Sequence, residues 1–124
     1  MGCRGIRGAT TVETDTADAI VAATRELLVR IVEVNDLVAS DIASAIFTLT
    51  PDLTATFPAR AARDLGWQHV PLLDAQEVPV PDSLSRCVRV LVLWNTERSQ
   101  DEIRHVYLRD AGSLRPDLYK SEQI

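Results

Sequence analysis

Apolar residues recur every three or four positions over residues 17–34, with charged residues between them. Ile20, Leu27 and Ile31 belong to this series. The spacing predicts one long amphipathic helix with a single apolar face. Thr16 is suited to cap its N-terminus, and Asn35 is suited to the left-handed conformation that ends a helix.

Shorter helical segments are predicted at two further places. Residues 58–65 form the first, because proline favours a first helical turn and Gly66 favours the C-terminal cap. Ser99 and Glu102 have the spacing of a capping box, which predicts a brief helical turn at this point.

Five segments have the β-branched and apolar composition of strands. Pro79 and Pro81 exclude a central strand nearby, so residues 74–81 are predicted to form an irregular edge. The pattern therefore predicts an α+β fold: a mixed five-stranded sheet packed with one long and one or two short helices. Residues 1–124 are expected to form a single domain, with residues 110–124 as a mobile C-terminal tail. The predicted strands are 3–9, 45–50, 69–73, 87–94 and 104–108.

Composition and charge narrow the classes of partner. Thirteen basic residues against eighteen acidic residues leave a net charge of -5, which argues against nucleic acid as a partner. Neither a secretory signal nor a long uncharged apolar stretch is visible, and the two cysteines do not indicate a disulfide framework. We expect a cytoplasmic protein with no membrane attachment.

Arginine dominates the basic residues, because Lys120 is the only lysine in the chain. A GC-rich genome explains most of this bias, but two arginines have unusual neighbours. Arg89 interrupts the most apolar strand, where a charge is costly unless it is paired, bound to a ligand or turned to solvent. Arg7 poses the same question between Ile6 and Gly8, where glycine would let a substrate approach the backbone. The pattern alone leaves the ligand and solvent alternatives open.

Other side chains add carboxylates, a phenol and a possible anion site, but no nucleophile. Asp74 and Glu77 lie on the predicted irregular edge, Tyr107 lies in the last strand, and Arg60 and Arg63 share one side of the short helix. His105 lacks a serine or cysteine partner and is expected to be structural. The histidines and cysteines lack the spacing of metal ligands, so we expect no metal and no cofactor. This inventory suits an anionic substrate whose reaction develops charge on oxygen.

Five motifs carry a resemblance to a known family. In order, they are RGIRGATTVE at residues 4–13, TPDL at 50–53, FPA at 57–59, RHVYL at 104–108 and LRPDL at 114–118. Together they resemble the monofunctional bacterial chorismate mutases of the trimeric α/β-barrel type. The motifs span almost the whole chain, and such a series is far more specific than any one of them.

The resemblance implies an isomerase that converts chorismate into prephenate by a Claisen rearrangement, without a cofactor. This step of the shikimate pathway leads to phenylalanine and tyrosine. By resemblance, Arg89 donates to the ether oxygen and Glu77 accepts from the ring hydroxyl. Arg7 and Tyr107 hold a substrate carboxylate and help select the reactive conformer.

The resemblance also implies a homotrimer that forms a pseudo-α/β-barrel, with active sites between subunits. Phe57 and Arg63 would reach in from the neighbouring chain, with Arg60 nearby. Leu114 and Arg115 would lie on the C-terminal tail that closes the site.

Asp74 departs from the family pattern. Some relatives carry a cysteine there that touches the substrate hydroxyl, so Asp74 is a candidate substrate contact. A carboxylate at that point would repel a dianionic substrate unless its side chain points away.

Two other functions compete with this interpretation. One is a trimeric enamine or imine deaminase, in which an arginine binds the substrate carboxylate and a water is activated. The other is a noncatalytic protein that senses a carboxylated metabolite. A deaminase would ignore chorismate, and a sensor would bind its ligand without turnover.

Overall fold

A computed structural model describes residues 2–114 of the chain. Within this range, the fold consists of five strands, two α-helices and three short 3₁₀ helices. The strands and α-helices are β1 (Gly2–Thr11), α1 (Ala17–Asn35), β2 (Ile42–Leu49), α2 (Ala59–Asp64), β3 (Leu72–Gln76), β4 (Cys87–Thr96) and β5 (Val106–Tyr107). The 3₁₀ helices are Ala39–Asp41, Gln100–Glu102 and Arg109–Leu114.

The strands form one mixed sheet in the order β3-β2-β4-β1-β5. The central strand β4 is antiparallel to both β1 and β2, whereas β3 and β5 add to the outside in parallel. The predicted mixed five-stranded α+β fold is confirmed. Both β1 and β4 are longer than predicted, because they pair continuously from Gly2 opposite Thr96 to Thr11 opposite Cys87.

Helix α1 covers one face of the sheet and forms the main core with it. Its buried residues include Leu27 and Ile31, which pack in one cluster with Ile6 and Val92. The helix lies so close to β1 that a Cβ on Gly8 would be 2.8 Å from Ile31 Cδ1. The absent side chain of Gly8 therefore makes room for the helix, in addition to any approach of a ligand to the backbone.

The N-terminus of α1 is as predicted, but its C-terminus is not. Thr16 accepts a hydrogen bond from Ala19 N at 3.2 Å. The left-handed residue is Asp36, at φ 53°, rather than Asn35. Asn35 is buried in the helix, where its side chain donates to Arg104 O and accepts from Arg104 N. The Asn35 amide occupies the Arg104 backbone, and the N–H of Arg7 donates to the His105 ring, so regular pairing with β1 begins only at Val106. The predicted strand 104–108 is thus reduced to Val106–Tyr107.

The prediction for β3 is wrong by about three residues. It placed the strand at residues 69–73, but the strand is Leu72–Gln76. Trp67 and Val70 are buried in the core from the turn after α2, so their apolar character reflects packing and not a strand ladder. Asp74, predicted on an irregular edge, lies within β3, which is the edge strand. Gly66 adopts φ 92° after α2, as its predicted capping role requires.

Two other boundaries differ from their predictions. Strand β2 begins at Ile42 and ends at Leu49, whereas residues 45–50 were predicted. The Thr50 N–H instead donates to Cys87 O, after the regular pairing of β2 and β4 has ended. Helix α2 is confined to Ala59–Asp64 within the predicted 58–65 segment.

The second face of the sheet is not covered by α1 or α2. Leu73 and Leu91 both point to this open face, because side chains alternate along their strands. They are 60% and 37% exposed. At the β1 end, the 3₁₀ helix Arg109–Leu114 packs on the sheet and buries Ala111. The predicted mobile tail thus begins with packed residues, and its mobility stays a prediction.

The close approach of α1 to β1 predicts a large effect of Gly8→Ala. We expect this variant to lower the free energy of unfolding by about 1–3 kcal/mol, because the added methyl overlaps the Ile31 and Leu27 side chains. Chemical denaturation at one fixed protein concentration measures the change. Gly2→Ala is the matched control on the same strand, since its nearest atoms are 3.5 Å away on the flexible Arg4 side chain. Equal destabilisation by both substitutions would contradict the packing argument.

Candidate active site

A cavity of about 460 Å³ lies on the open face of the sheet. Strand alternation places the side chains of Arg7, Arg89 and Leu91 on the face opposite α1, while Val88 and Val92 of β4 enter the core. Its volume falls within the range of small-molecule sites. The lining residues are Arg7, Gly8, Ala9, Ile46, Thr48, Arg89, Val90, Leu91, Tyr107 and Leu114.

Arg89 lies on the cavity wall and is paired with a carboxylate. It is opposite Ala9 of β1 and Thr48 of β2 in the sheet register. Its Nε is 3.1 Å from Glu77 Oε2, and its side chain is 44% exposed. Thr48 Oγ1 donates to the same Glu77 oxygen at 2.7 Å. Arg89 therefore faces a partly open cavity with its orientation fixed by Glu77.

Arg7 and Tyr107 reach the same cavity from neighbouring strands. The backbone N–H of Arg7 donates to His105 Nδ1 at 2.8 Å, which fits the expected structural role of that histidine. Tyr107 is opposite Ala9 in the parallel β1–β5 pair and is only 6% exposed. Arg7 thus brings an exposed cationic side chain to the site, and Tyr107 brings a phenol held by packing.

The C-terminal candidates divide at the end of the described chain. Leu114, the last residue of the 3₁₀ helix Arg109–Leu114, lines the cavity and is partly buried. Arg115 lies outside the described residues. The structure thus brings the start of the expected closing segment to the site.

Cys87 lies beneath the site. It is fully buried in a small cluster that it forms with Ala9 and Tyr107. Burial raises the pKa of its thiol to about 11, against a smaller opposing effect of Arg89. The thiol is therefore protonated at neutral pH and is a poor nucleophile.

A second group of predicted site residues lies around α2. Phe57 is 64% exposed just before this helix, and Arg60 and Arg63 are exposed on it. Arg60 donates to Thr56 Oγ1 at 3.0 Å. Helix α2 packs into the core with α1, on the side of the sheet opposite the cavity. Within one chain, this group does not line the cavity.

Asp74 also belongs to the group around α2. Its Oδ1 accepts a hydrogen bond from Ala59 N at 3.1 Å. Burial raises the pKa of the Asp74 carboxyl above its usual value of 3.8, while the Ala59 N–H and the Arg63 guanidinium oppose that change. The structure directs this carboxyl toward the start of α2.

Sequence reasoning did not single out Thr48 or Asp15. Thr48 lies in a predicted strand, but its proximity to Arg89 depends on strand register, which the sequence does not specify. Asp15 accepts from the backbone N–H groups of Thr54 and Ala55, at 2.9 and 3.0 Å. Its only visible signal was a carboxylate just before a helix, a common capping feature.

Among residues 2–114, no three His, Cys, Asp or Glu side chains are grouped as metal ligands. None of the helices in that range is both long enough and apolar enough to cross a membrane.

Comparisons with known proteins agree over nearly the full length. A family model described as chorismate mutase type I matches residues 3–118. The chain is 58% identical over 120 residues to chorismate mutase AroH of Thermus thermophilus, covering 96% of this chain and 98% of that relative. It is 49% identical over 119 residues to chorismate mutase AroH of Bacillus subtilis (strain 168), covering 95% and 94% respectively.

A solved structure supports the same relationship. Chorismate mutase from Clostridium thermocellum matches this fold with a TM-score of 0.87 and 50% sequence identity. The match covers 88% of this chain and 97% of that one. From the family model, the two relatives and this structural match together, the chain belongs to the type I chorismate mutase family.

Proposed function

We propose that this protein rearranges chorismate to prephenate in the cavity on the open face of its sheet. The observation that carries the proposal is Arg89 on the cavity wall with Arg7 and Tyr107, where its Nε is paired with Glu77 at 3.1 Å. In a Claisen rearrangement, one carbon–oxygen bond breaks as one carbon–carbon bond forms within the same molecule. The reaction needs a held conformation and donors to oxygen, which these side chains supply without a nucleophile.

Arg89 is proposed to donate to the ether oxygen, where negative charge grows as the bond breaks. A guanidinium suits this role because it stays protonated and its N–H groups have a fixed planar geometry. Its Nε is held by Glu77, whose own position is fixed by the Thr48 hydroxyl. The donor is therefore oriented before the substrate arrives, so little reorganisation is required in the transition state.

The remaining cavity residues are proposed to bind and shape the substrate. Glu77 accepts from the ring hydroxyl, and Arg7 and Tyr107 hold a carboxylate of the compact conformer. Arg7 suits this role because arginine can form two parallel hydrogen bonds with a carboxylate. The low exposure of Tyr107 limits its movement, which favours a single substrate geometry.

The active protein is proposed to be a homotrimer with a pseudo-α/β-barrel and sites between subunits. The division of site residues between two sides of the sheet supports this arrangement, because Phe57, Arg60 and Arg63 require a neighbouring chain to reach a cavity. Exposed apolar residues support it too, since Phe57, Leu73 and Val78 are exposed by 64%, 60% and 78%. Leu114 and Arg115 are proposed to help close each site.

The proposed setting is the cytoplasmic synthesis of phenylalanine and tyrosine. The reaction uses no cofactor, and its substrate and product are chorismate and prephenate. The deaminase and sensor alternatives gain no support from the family match. They would return if the folded protein failed to turn over chorismate.

Replacement of Arg89 tests the proposed reaction. We expect Arg89→Ala to lower kcat by at least about 10²–10³-fold, as loss of a donor to a developing oxyanion does. Arg89→Lys should recover little, because an ammonium group lacks the guanidinium geometry. The loss of chorismate absorbance measures turnover, and acid conversion to phenylpyruvate identifies prephenate.

Arg25→Ala is the matched control, since it removes an exposed arginine from α1 on the opposite side of the sheet. Circular dichroism and sedimentation should show that both variants keep the fold and assembly. Undiminished turnover by Arg89→Ala would overturn the mechanism. Absence of turnover by the folded wild-type protein would overturn the proposed activity.

Mixed trimers test whether a site takes residues from two chains. Arg63→Ala and Arg89→Ala are each expected to be inactive alone. After random exchange in equal amounts, about a quarter of the sites should carry both arginines and recover activity.

Native mass spectrometry verifies the hybrid trimers, and each variant exchanged with itself is the control. Hybrids without recovered activity would contradict a shared site. An active Arg63→Ala protein would contradict the role of that arginine.

A further inference from the structure

The segment that presents Phe57 has no regular secondary structure, yet carboxylates hold it on both sides. Upstream, Asp15 from the β1–α1 connection accepts from the N–H groups of Thr54 and Ala55, at 2.9 and 3.0 Å. Its second oxygen accepts from Thr54 Oγ1 at 3.0 Å. These bonds lower the pKa of Asp15, so it is ionised at neutral pH.

Downstream, Asp74 holds the start of α2. Pro58 precedes this helix and provides no side-chain cap. The Asp74 carboxylate reaches across from β3 and accepts from Ala59 N at 3.1 Å. It thereby satisfies one of the backbone donors that every helix leaves free at its N-terminus. Phe57 thus lies between two points at which its segment is fixed.

The register of β3 shows which way Asp74 points. Asp74 is opposite Phe47 of β2, which is fully buried in the core under the helices. The next pair, Ala75 opposite Thr48, lies on the other face, where Thr48 lines the cavity. Because side chains alternate along a strand, Asp74 is directed away from the cavity of its own chain.

We propose that Asp15 and Asp74 are positioning residues that clamp residues 54–59, so that Phe57 and the following helix with Arg63 are presented to the neighbouring active site. Asp74 in this role does not bind the substrate. The inference rests on the proposed shared site, and it extends that proposal to residues that touch only the protein.

Charge supports the clamp over direct substrate contact. A carboxylate facing a dianionic substrate raises the energy of the bound state, whereas one facing a helix N-terminus is stabilised by the N–H groups there. Asp74 is in the second situation, with Arg63 also near enough to interact with it. The negative charge is thus directed to the protein backbone.

Two substitutions of Asp74 separate positioning from charge. Asp74→Asn keeps an oxygen that can accept from Ala59 N, so kcat/KM should remain within about threefold of wild type. Asp74→Ala removes the acceptor and should lower kcat/KM by at least about tenfold, mainly through KM, because binding groups lose their position. Asp15→Ala should act in the same direction.

Amide hydrogen exchange provides a readout that does not require activity. Exchange should accelerate by about tenfold at Ala59 in Asp74→Ala, and at Thr54 and Ala55 in Asp15→Ala, since the acceptor of these N–H groups is lost. It should stay at the wild-type rate in Asp74→Asn. Asp64→Asn is the matched control, because it removes an exposed carboxylate from the other end of α2.

The two readouts keep the clamp distinct from the enzymatic activity. If wild-type protein does not turn over chorismate, the proposed function fails, while faster exchange in Asp74→Ala still supports the clamp. Unchanged exchange in Asp74→Ala overturns the clamp, whatever the activity. An Asp74→Asn protein as impaired in kcat/KM as Asp74→Ala also overturns it, because the charge itself would then be required. Should Asp74→Ala not fold, Asp74→Ser carries the same comparison, since its hydroxyl is one bond too short to replace the carboxylate.

Discussion

Strict alternation of side chains along β4 is the constraint on which the site depends. Val88, Val90 and Val92 enter the core under α1, so Arg89 and Leu91 between them must face the other way. Because β4 is the central strand, with β1 and β2 on either side, this single register brings Arg89 beside Ala9 and Thr48. A charge in the most apolar strand is tolerated because its side chain leaves the core and reaches a carboxylate at the cavity wall.

The packing of both α1 and α2 on one sheet face follows from the same arrangement. The one long helix packs closely enough on β1 to require glycine at position 8, and α2 joins it on that side. The opposite face is left with a cavity and with exposed leucines. A small domain that leaves apolar residues exposed beside polar site groups is suited to complete both its core and its site with further copies. In the proposed trimer, Arg89 donates from the open face, while the residues around α2 reach the site of a neighbour.

The sequence was most informative where structure depends on neighbouring residues. Helical periodicity located α1, and continuous apolar character located β4, which identified Arg89 as the exceptional charge. Errors arose where distant groups decide the outcome. The Asn35 amide binds the backbone of Arg104, 69 residues away, and this both moves the left-handed residue and shortens β5. The shift of β3 has a larger effect on the site, because a register error of one residue moves every side chain of a strand to the other face of the sheet. The orientation of Asp74 therefore depends on how β3 pairs with β2. Arg7, Glu77 and Tyr107 were singled out in the sequence by residue type and position, and the family resemblance supplied their expected roles. Thr48 required the observed register.

The net charge of -5 is compatible with a proposed dianionic substrate because of what the carboxylates contact. Asp15 and Asp74 accept from backbone N–H groups around Phe57, and Asp52 accepts from the N–H of Arg86. Such bonds direct negative charge into the protein, where each carboxylate fixes a segment of irregular backbone. Glu77 differs, since it binds the side chains of Arg89 and Thr48 at the cavity. Several carboxylates elsewhere thus accept hydrogen bonds from backbone N–H groups. At the cavity, the positive charges of Arg7 and Arg89 exceed the negative charge of Glu77, which favours an anion despite the acidity of the whole chain.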